Sequence, residues 1–264
     1  MPFEKVNGID IYYEIHGDGE PVVFGNGVFS NTLGWVNQQP AFSKDYQMIL
    51  YDMRGQGQSG KPDGPYSFDL HADDQKALLE SLGVFKAHHV GISYGGELGL
   101  VFALKYPELL KSLVVCSAVS FVGPLLYNMC QLWRYVCVLG DPELFYYATV
   151  PLNFRETFIE ENTVLLEAAR QRYTQLEYPA LVNLLDAFLK LNITDQLPQI
   201  KTPTCVIAGE KDILKPAYPY SKLIHDLLPN SEMTIIPDSG HAVTFEKPDE
   251  FNRIVLSFLQ KHSS

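Results

Sequence analysis

Apolar and polar side chains alternate along Ile9-Asp10-Ile11-Tyr12-Tyr13-Glu14-Ile15, the period-two rhythm of an early antiparallel strand. Val22-Val23-Phe24 is a short apolar run that stops at Gly25-Asn26-Gly27, and Met48-Ile49-Leu50-Tyr51 leads into Asp52. The rhythm then changes to helical spacing over about 68–82. Asp69, Asp73 and Asp74 sit in the first turns there, Leu78, Leu79 and Leu82 form one face, and Gly83 follows the end. An apolar run ending at Val90, a helix over 97–105 and a strand from Leu113 to Ser117 come next. Strands separated by helices predict βαβ units and a mostly parallel sheet flanked by helices, an α/β fold.

Between roughly Val119 and Gln196 the alternation stops. This stretch is helix-like and rich in Phe, Tyr, Leu and Trp. Strand spacing returns at Thr204-Cys205-Val206-Ile207-Ala208 and again at Met233-Thr234-Ile235-Ile236. A last helix carries Pro248 near its start and Phe251, Ile254, Val255 and Phe258 on one face. The expected organisation is a sheet domain made of 1–118 and 197–264, interrupted by a helical insertion over 119–196. Ser112 to Trp133 holds no charged side chain, but Gly123-Pro124, Asn128 and Gln131 interrupt it. It reads as a buried strand followed by apolar structure over a pocket, not as a membrane span.

Composition narrows the partners. The net charge of −11 disfavours nucleic acid and anionic membrane, which both select basic surfaces. Cys116, Cys130, Cys137 and Cys205 form no C-x-x-C pair and have no histidine at metal spacing, so they read as buried thiols in a reducing compartment. The N-terminal residues lack the pattern of a signal peptide, and the expectation is a cytoplasmic protein with neither metal nor organic cofactor.

The chemistry gathers after the strands. Gly91-Ile92-Ser93-Tyr94-Gly95-Gly96 puts a serine at a strand-to-helix corner, where glycines leave room for a strained turn and the helix N-terminus can hold an oxyanion. A serine hydroxyl needs a base, and the base needs a carboxylate to orient it. Gly209-Glu210-Lys211-Asp212 follows the 204–208 strand and Asp238-Ser239-Gly240-His241 the 233–236 strand. Glu210 competes as the acid, but Asp212 lies further out on its loop. The other histidines do not follow a parallel strand at its C-terminal end. The order is Ser93, Asp212, His241, and the backbone N–H groups of Val28 and Tyr94 are the expected oxyanion donors. Asp52-Met53-Arg54-Gly55-Gln56-Gly57-Gln58-Ser59 reads as a turn in which Asp52 and Arg54 tie loops together, with Arg54 as a substrate anchor the other reading.

At these residues the sequence resembles the α/β-hydrolase superfamily over nearly its whole length. It is similar to the branch of small cofactor-free serine hydrolases that includes carboxylesterases, enol-lactonases and meta-cleavage-product hydrolases. The matching segments are Asp52-x-Arg54-Gly55-x-Gly57-x-Ser59, Gly91-x-Ser93-x-Gly95-Gly96, Gly209-x-x-Asp212 and Gly240-His241. The resemblance implies that 119–196 is a cap. One departure is Asn26-Gly27, where this branch usually has His-Gly. The expectation is therefore acyl transfer from a small or medium apolar ester, lactone or thioester to water. Asn26, Trp133, Tyr146 and Phe154 are the expected substrate contacts, with about half of the cap aromatics forming its own core. C–C bond hydrolysis and a triad-bearing small-molecule receptor are the alternatives.

Overall fold

Each apolar run becomes a strand because it must be buried on both faces of a parallel sheet. In the computed structural model, which describes residues 2–263, the strands are β1 (Phe3–Val6), β2 (Ile9–His16), β3 (Glu20–Gly25), β4 (Tyr46–Tyr51), β5 (Ala87–Ile92), β6 (Leu110–Cys116), β7 (Thr204–Gly209) and β8 (Ser231–Ile236). They form one sheet in the order β1-β2-β4-β3-β5-β6-β7-β8. β1 and β2 are antiparallel to their neighbours, and every pairing from β4 to β8 is parallel.

Alternation along the strands divides the core in two. Val23, Ile49, Tyr51, Val115 and Val206 face one layer with Leu98 and Phe102 of the helix Tyr94–Lys105. Their neighbours Val22, Phe24, Met48, Leu50, Val114 and Ile207 face the other, against Phe251, Val255 and Phe258 of the helix Pro248–His262. The spacing of Phe251, Val255 and Phe258 is the stripe the sequence shows, and all three are buried. The helix expected over about 68–82 runs Phe68–Ser81, capped by Ser67 Oγ, which accepts the Leu70 N–H at 3.1 Å.

Residues 124–188, between β6 and β7, are helical: Pro124–Leu139, Pro142–Asn153, Glu156–Glu161, Thr163–Arg170 and Tyr178–Phe188, with one 3₁₀ turn. The uncharged stretch Ser112 to Trp133 is split between β6 and the first of these helices. Among the described residues no helix is long and apolar enough to cross a membrane. The inner faces of these helices do not form a separate core. Leu126, Cys130, Trp133, Leu184, Leu185 and Phe188 join the cluster that covers the sheet, while Tyr146, Val150 and Leu166 make a small cluster of their own.

Candidate active site

The loops after β3, β4, β5, β7 and β8 all leave the sheet at the C-terminal ends of its parallel strands, where open α/β sheets open a crevice. Ser93 stands where β5 turns into the helix Tyr94–Lys105, with φ 53° and ψ −122°. A non-glycine residue there carries about 1–3 kcal/mol of strain, held by the surrounding structure. Ser93 N–H donates to Cys116 O at 2.8 Å, and its carbonyl accepts from Gly96 and Glu97 at 2.8 and 3.0 Å. The close approach needs glycine: a Cβ on Gly95 would overlap the backbone carbonyl of Gly25, and one on Gly91 would overlap that of Gly95.

Asp212 and His241 meet from two other loops. His241 Nδ1 lies 2.8 Å from Asp212 Oδ2, and both side chains are buried. Asp212 Oδ1 accepts the N–H groups of Leu214 and Lys215 at 2.9 and 2.8 Å. Burial pushes the Asp212 carboxyl up, but the charge and hydrogen bond of His241 and the Lys215 N–H outweigh it and hold the group below the usual carboxylate range. An acceptor-only carboxylate on Nδ1 fixes the proton there and leaves Nε2 free to act as a base. Ser117 Oγ donates to His241 O at 3.1 Å, and Ala242 N–H to Asn153 O at 2.9 Å, so this loop is pinned from both sides. Glu210 is turned away and half-exposed, accepting the Asp238 N–H at 3.1 Å.

Ser93 and His241 border one cavity of about 220 Å³, together with Asn26, Val28, Tyr94, Trp133 and Phe154. Among the described residues no hydrogen bond joins Ser93 Oγ to the His241 ring. The hydroxyl is instead bound by a residue the sequence reading did not single out. Lys215 Nζ donates to Ser93 Oγ at 3.1 Å and to Glu97 Oε1 at 2.8 Å. Glu97 is fully buried, and burial raises its carboxyl despite Lys215 and the Val119 N–H, which it accepts at 2.8 Å. A lysine three residues past an aspartate in a loop normally reads as a solvated charge, so the sequence carries no signal for this contact.

The N–H groups of Val28 and Tyr94 have no hydrogen-bond partner among the described residues, and a Cβ on Gly27 would stand 3.7 Å from Ser93 Cβ. Val28 lies on the loop after β3, and Tyr94 is the first residue of the helix that follows Ser93. Asn26 borders the cavity, and its amide is held on two sides: Nδ2 donates to Tyr51 O at 2.8 Å and Oδ1 accepts from Trp35 Nε1 at 2.7 Å. These two bonds brace the loop and use Oδ1 and one of the two amide hydrogens. Tyr146, an expected substrate contact, does not border the cavity. It packs on Val150 and Leu166, with its ring 5.3 Å from that of Tyr147. Trp133 and Phe154 do border it, Trp133 being fixed by Nε1 to Ala148 O at 2.7 Å. Arg54 is not at the cavity. It makes a two-pronged bond to buried Asp74 at 2.7 and 2.8 Å, while Asp52 takes the N–H groups of Thr32 and Gln58 at 2.9 and 2.7 Å.

Comparison with known proteins agrees with this architecture. Residues 20–248 match the family model described as alpha/beta hydrolase fold. The chain is 30% identical over 261 residues to the "Putative carbamate hydrolase RutD" of Azorhizobium caulinodans, covering 98% of each. Among solved structures, it is similar to MGS-M2, an alpha/beta hydrolase enzyme from a Medee basin deep-sea metagenome library. That match has a TM-score of 0.93 and 31% identity, over 99% of this chain and 98% of the other. A thermophilic esterase from Thermogutta terrifontis matches with a TM-score of 0.89 and 25% identity, over 99% of this chain and 98% of the other. The chain therefore belongs to the α/β-hydrolase family and is a hydrolase.

Proposed function

We propose that this hydrolase cleaves a small or medium apolar carboxylic ester, lactone or thioester through an acyl-enzyme on Ser93. The observation that carries the reading is the buried His241–Asp212 pair at 2.8 Å, with His241 bordering the same cavity as the strained Ser93 corner. In this reading His241 Nε2 removes the Ser93 proton as Oγ attacks the substrate carbonyl, and Asp212 stabilises the imidazolium that forms. The Val28 and Tyr94 N–H groups hold the oxyanion. The imidazolium gives its proton to the leaving group, and a water activated by His241 then releases the acyl group.

The helices of 119–196 act as a cap. Leu126, Trp133, Phe145 and Phe188 contribute an apolar wall, which selects an uncharged acyl chain over a polar one. The likeness to RutD favours a second substrate class for the same machinery. A carbamate presents the same carbonyl to Ser93 and leaves a carbamoyl-enzyme in place of an acyl-enzyme. Ser93→Ala tests the assignment. The variant should lose turnover of short p-nitrophenyl esters and carbamates and should no longer be labelled by a fluorophosphonate. Turnover at the native rate in that variant rules the reading out. The ratio of ester to carbamate kcat/KM in the native enzyme decides between the two classes.

A further inference from the structure

The loop after β7 delivers two side chains to the site, and only one belongs to the His241 relay. Lys215 is 3% exposed and reaches past Asp212 to the nucleophile itself. Its ammonium has three donors, and its surroundings account for all sides: Ser93 Oγ at 3.1 Å, Glu97 Oε1 at 2.8 Å, and the Phe188 ring with its centroid 4.6 Å away. Glu97 stands on the first turn of the helix that begins at Tyr94, so the ion pair and the nucleophile share one rigid element. Burying two charges beside a serine is expensive, and the pair is placed against the nucleophile instead of elsewhere in the core. The geometry points to Lys215 as a catalytic residue that acts as a fixed cationic hydrogen-bond donor on Ser93 Oγ, held in place by Glu97 as a positioning residue. This rests on the acyl-enzyme reading above and adds to it a group acting on the serine oxygen, opposite in role to the oxyanion donors.

The chemistry assigns the step. A donor on Oγ occupies one of its lone pairs and leaves its own O–H free to turn toward His241. It lowers the basicity of Oγ, which helps attack little. In deacylation Oγ is the leaving group. Water adds to the ester carbon as His241 takes its proton, the C–Oγ bond breaks, and the proton returns from His241 to Oγ. Negative charge grows on Oγ as that bond breaks, and a charge-assisted hydrogen bond strengthens with it. The proton moves only among the water, His241 and Oγ, and Lys215 acts through its hydrogen bond alone. Its contribution is therefore larger in release of the acyl group than in its capture.

Lys215→Met alone leaves Glu97 buried without its cation, so the informative protein is the double variant Lys215→Met/Glu97→Gln, with Glu97→Gln as a second, milder variant. Three measurements are made on p-nitrophenyl acetate: the burst of nitrophenol, the steady-state rate, and the intact mass during turnover. Fluorophosphonate labelling of Ser93 is followed in parallel. The double variant should still label, and its burst rate should fall less than about tenfold. Its steady-state rate should fall by about 10²-fold, the scale of losing one preorganised donor. The acetyl-enzyme should appear in the mass spectrum, and Glu97→Gln should show the same split to a smaller degree. A purely structural role would lower burst and steady state together. That outcome, or a steady-state rate within twofold of native in both variants, overturns the role of Lys215 while leaving Ser93 as the nucleophile. Failure of the native enzyme to label at Ser93 overturns the acyl-enzyme reading and this inference with it.

Discussion

Arg155, in the turn before the helix Glu156–Glu161, pairs through Nε with Glu246 Oε2 at 2.9 Å, just past the His241 loop. Arg155 also reaches Asp238 Oδ2 at 2.7 Å, and Glu246 Oε2 accepts the Gly240 N–H at 3.1 Å. One cation thus fastens the helical segment to both ends of the loop that carries His241. Burial raises the Glu246 carboxyl in spite of Arg155, so the carboxylate depends on its partners. Arg155→Gln should cost about 2 kcal/mol, less than breaking a fully buried pair because Arg155 retains some solvent access. That corresponds to a fall of about 4–8 °C in Tm. The loop carrying His241 should loosen with it, so kcat should drop along with Tm. A Tm loss with unchanged kcat would mean that the His241 loop is held without the helical segment.

The parallel strands and the loops at their C-terminal ends were legible in the sequence because burial on both faces leaves short apolar runs, most of which stop at Gly, Asn or Asp; β1 (Phe3–Val6), at the sheet edge, was not. The helix after Ser93 begins at Tyr94 instead of Glu97, since Tyr94, Gly95 and Gly96 can take helical geometry once the serine absorbs the strain. The place of Tyr146, the contact of Lys215 and the hydrogen bonds that hold Asn26 were not legible. Which way an aromatic of residues 124–188 faces depends on how five helices pack, and a lysine reads as surface until a carboxylate from another element is seen to capture it. Asn26 sits where the resemblance implies a histidine. What it does was decided by Trp35, nine residues away, and by the Tyr51 carbonyl on a neighbouring strand.

The cavity wall and the small cluster around Tyr146 can be told apart by substitution. Phe154 borders the cavity and stacks on Phe158 with centroids 4.9 Å apart and planes 10° from parallel. Phe154→Ala should enlarge the site and shift kcat/KM toward longer acyl chains. Tyr146→Ala removes a buried side chain that does not reach the cavity, at a cost of about 3 kcal/mol. It should lower Tm and leave the acyl-chain preference unchanged. A chain-length series of p-nitrophenyl esters on both variants checks this, and a shift in preference with Tyr146→Ala would contradict it.

His71 is buried among rings, with Tyr94 at 5.5 Å and Tyr66 at 5.9 Å, and neither ring nitrogen has a partner among the described residues. Burial, aided by nearby Arg54, pushes its pKa down to about 3 from an ordinary 6.5. The unfolded chain therefore binds a proton below pH 6.5 that the folded chain refuses. Stability from this group is complete above that pH and is lost as pH falls toward 3, amounting to about 2 kcal/mol at pH 5. His71→Phe keeps the ring contacts and removes the titration. The variant should lose less Tm than the native protein between pH 7.5 and pH 5, by about 4–8 °C. Equal losses would show that His71 does not set the acid limb.

Asp212→Asn separates orientation from packing. Asp212 Oδ1 takes two backbone N–H groups, from Leu214 and Lys215, and an asparagine keeps both by placing its carbonyl oxygen there. Its NH₂ group then faces His241 Nδ1. A donor in that place stabilises the wrong tautomer: Nδ1 becomes the acceptor and Nε2 carries the proton, so the base is lost while the imidazole stays where it was. The expected fall in kcat is about 10³–10⁴-fold, the scale seen when a serine hydrolase loses only the carboxylate of its relay. Tm at neutral pH should fall modestly: the loop bonds survive, but the stabilisation carried by the ionised carboxylate is gone. The native carboxylate also carries a pH dependence that the variant lacks. The folded chain holds Asp212 below its ordinary value, so its stabilisation is complete above about pH 4 and fades as pH falls through that lower value. Kinetics and melting curves on one preparation separate the two effects. A variant that keeps kcat within tenfold of native would show that Asp212 does not orient the base, and Glu210 would then have to be tested in its place.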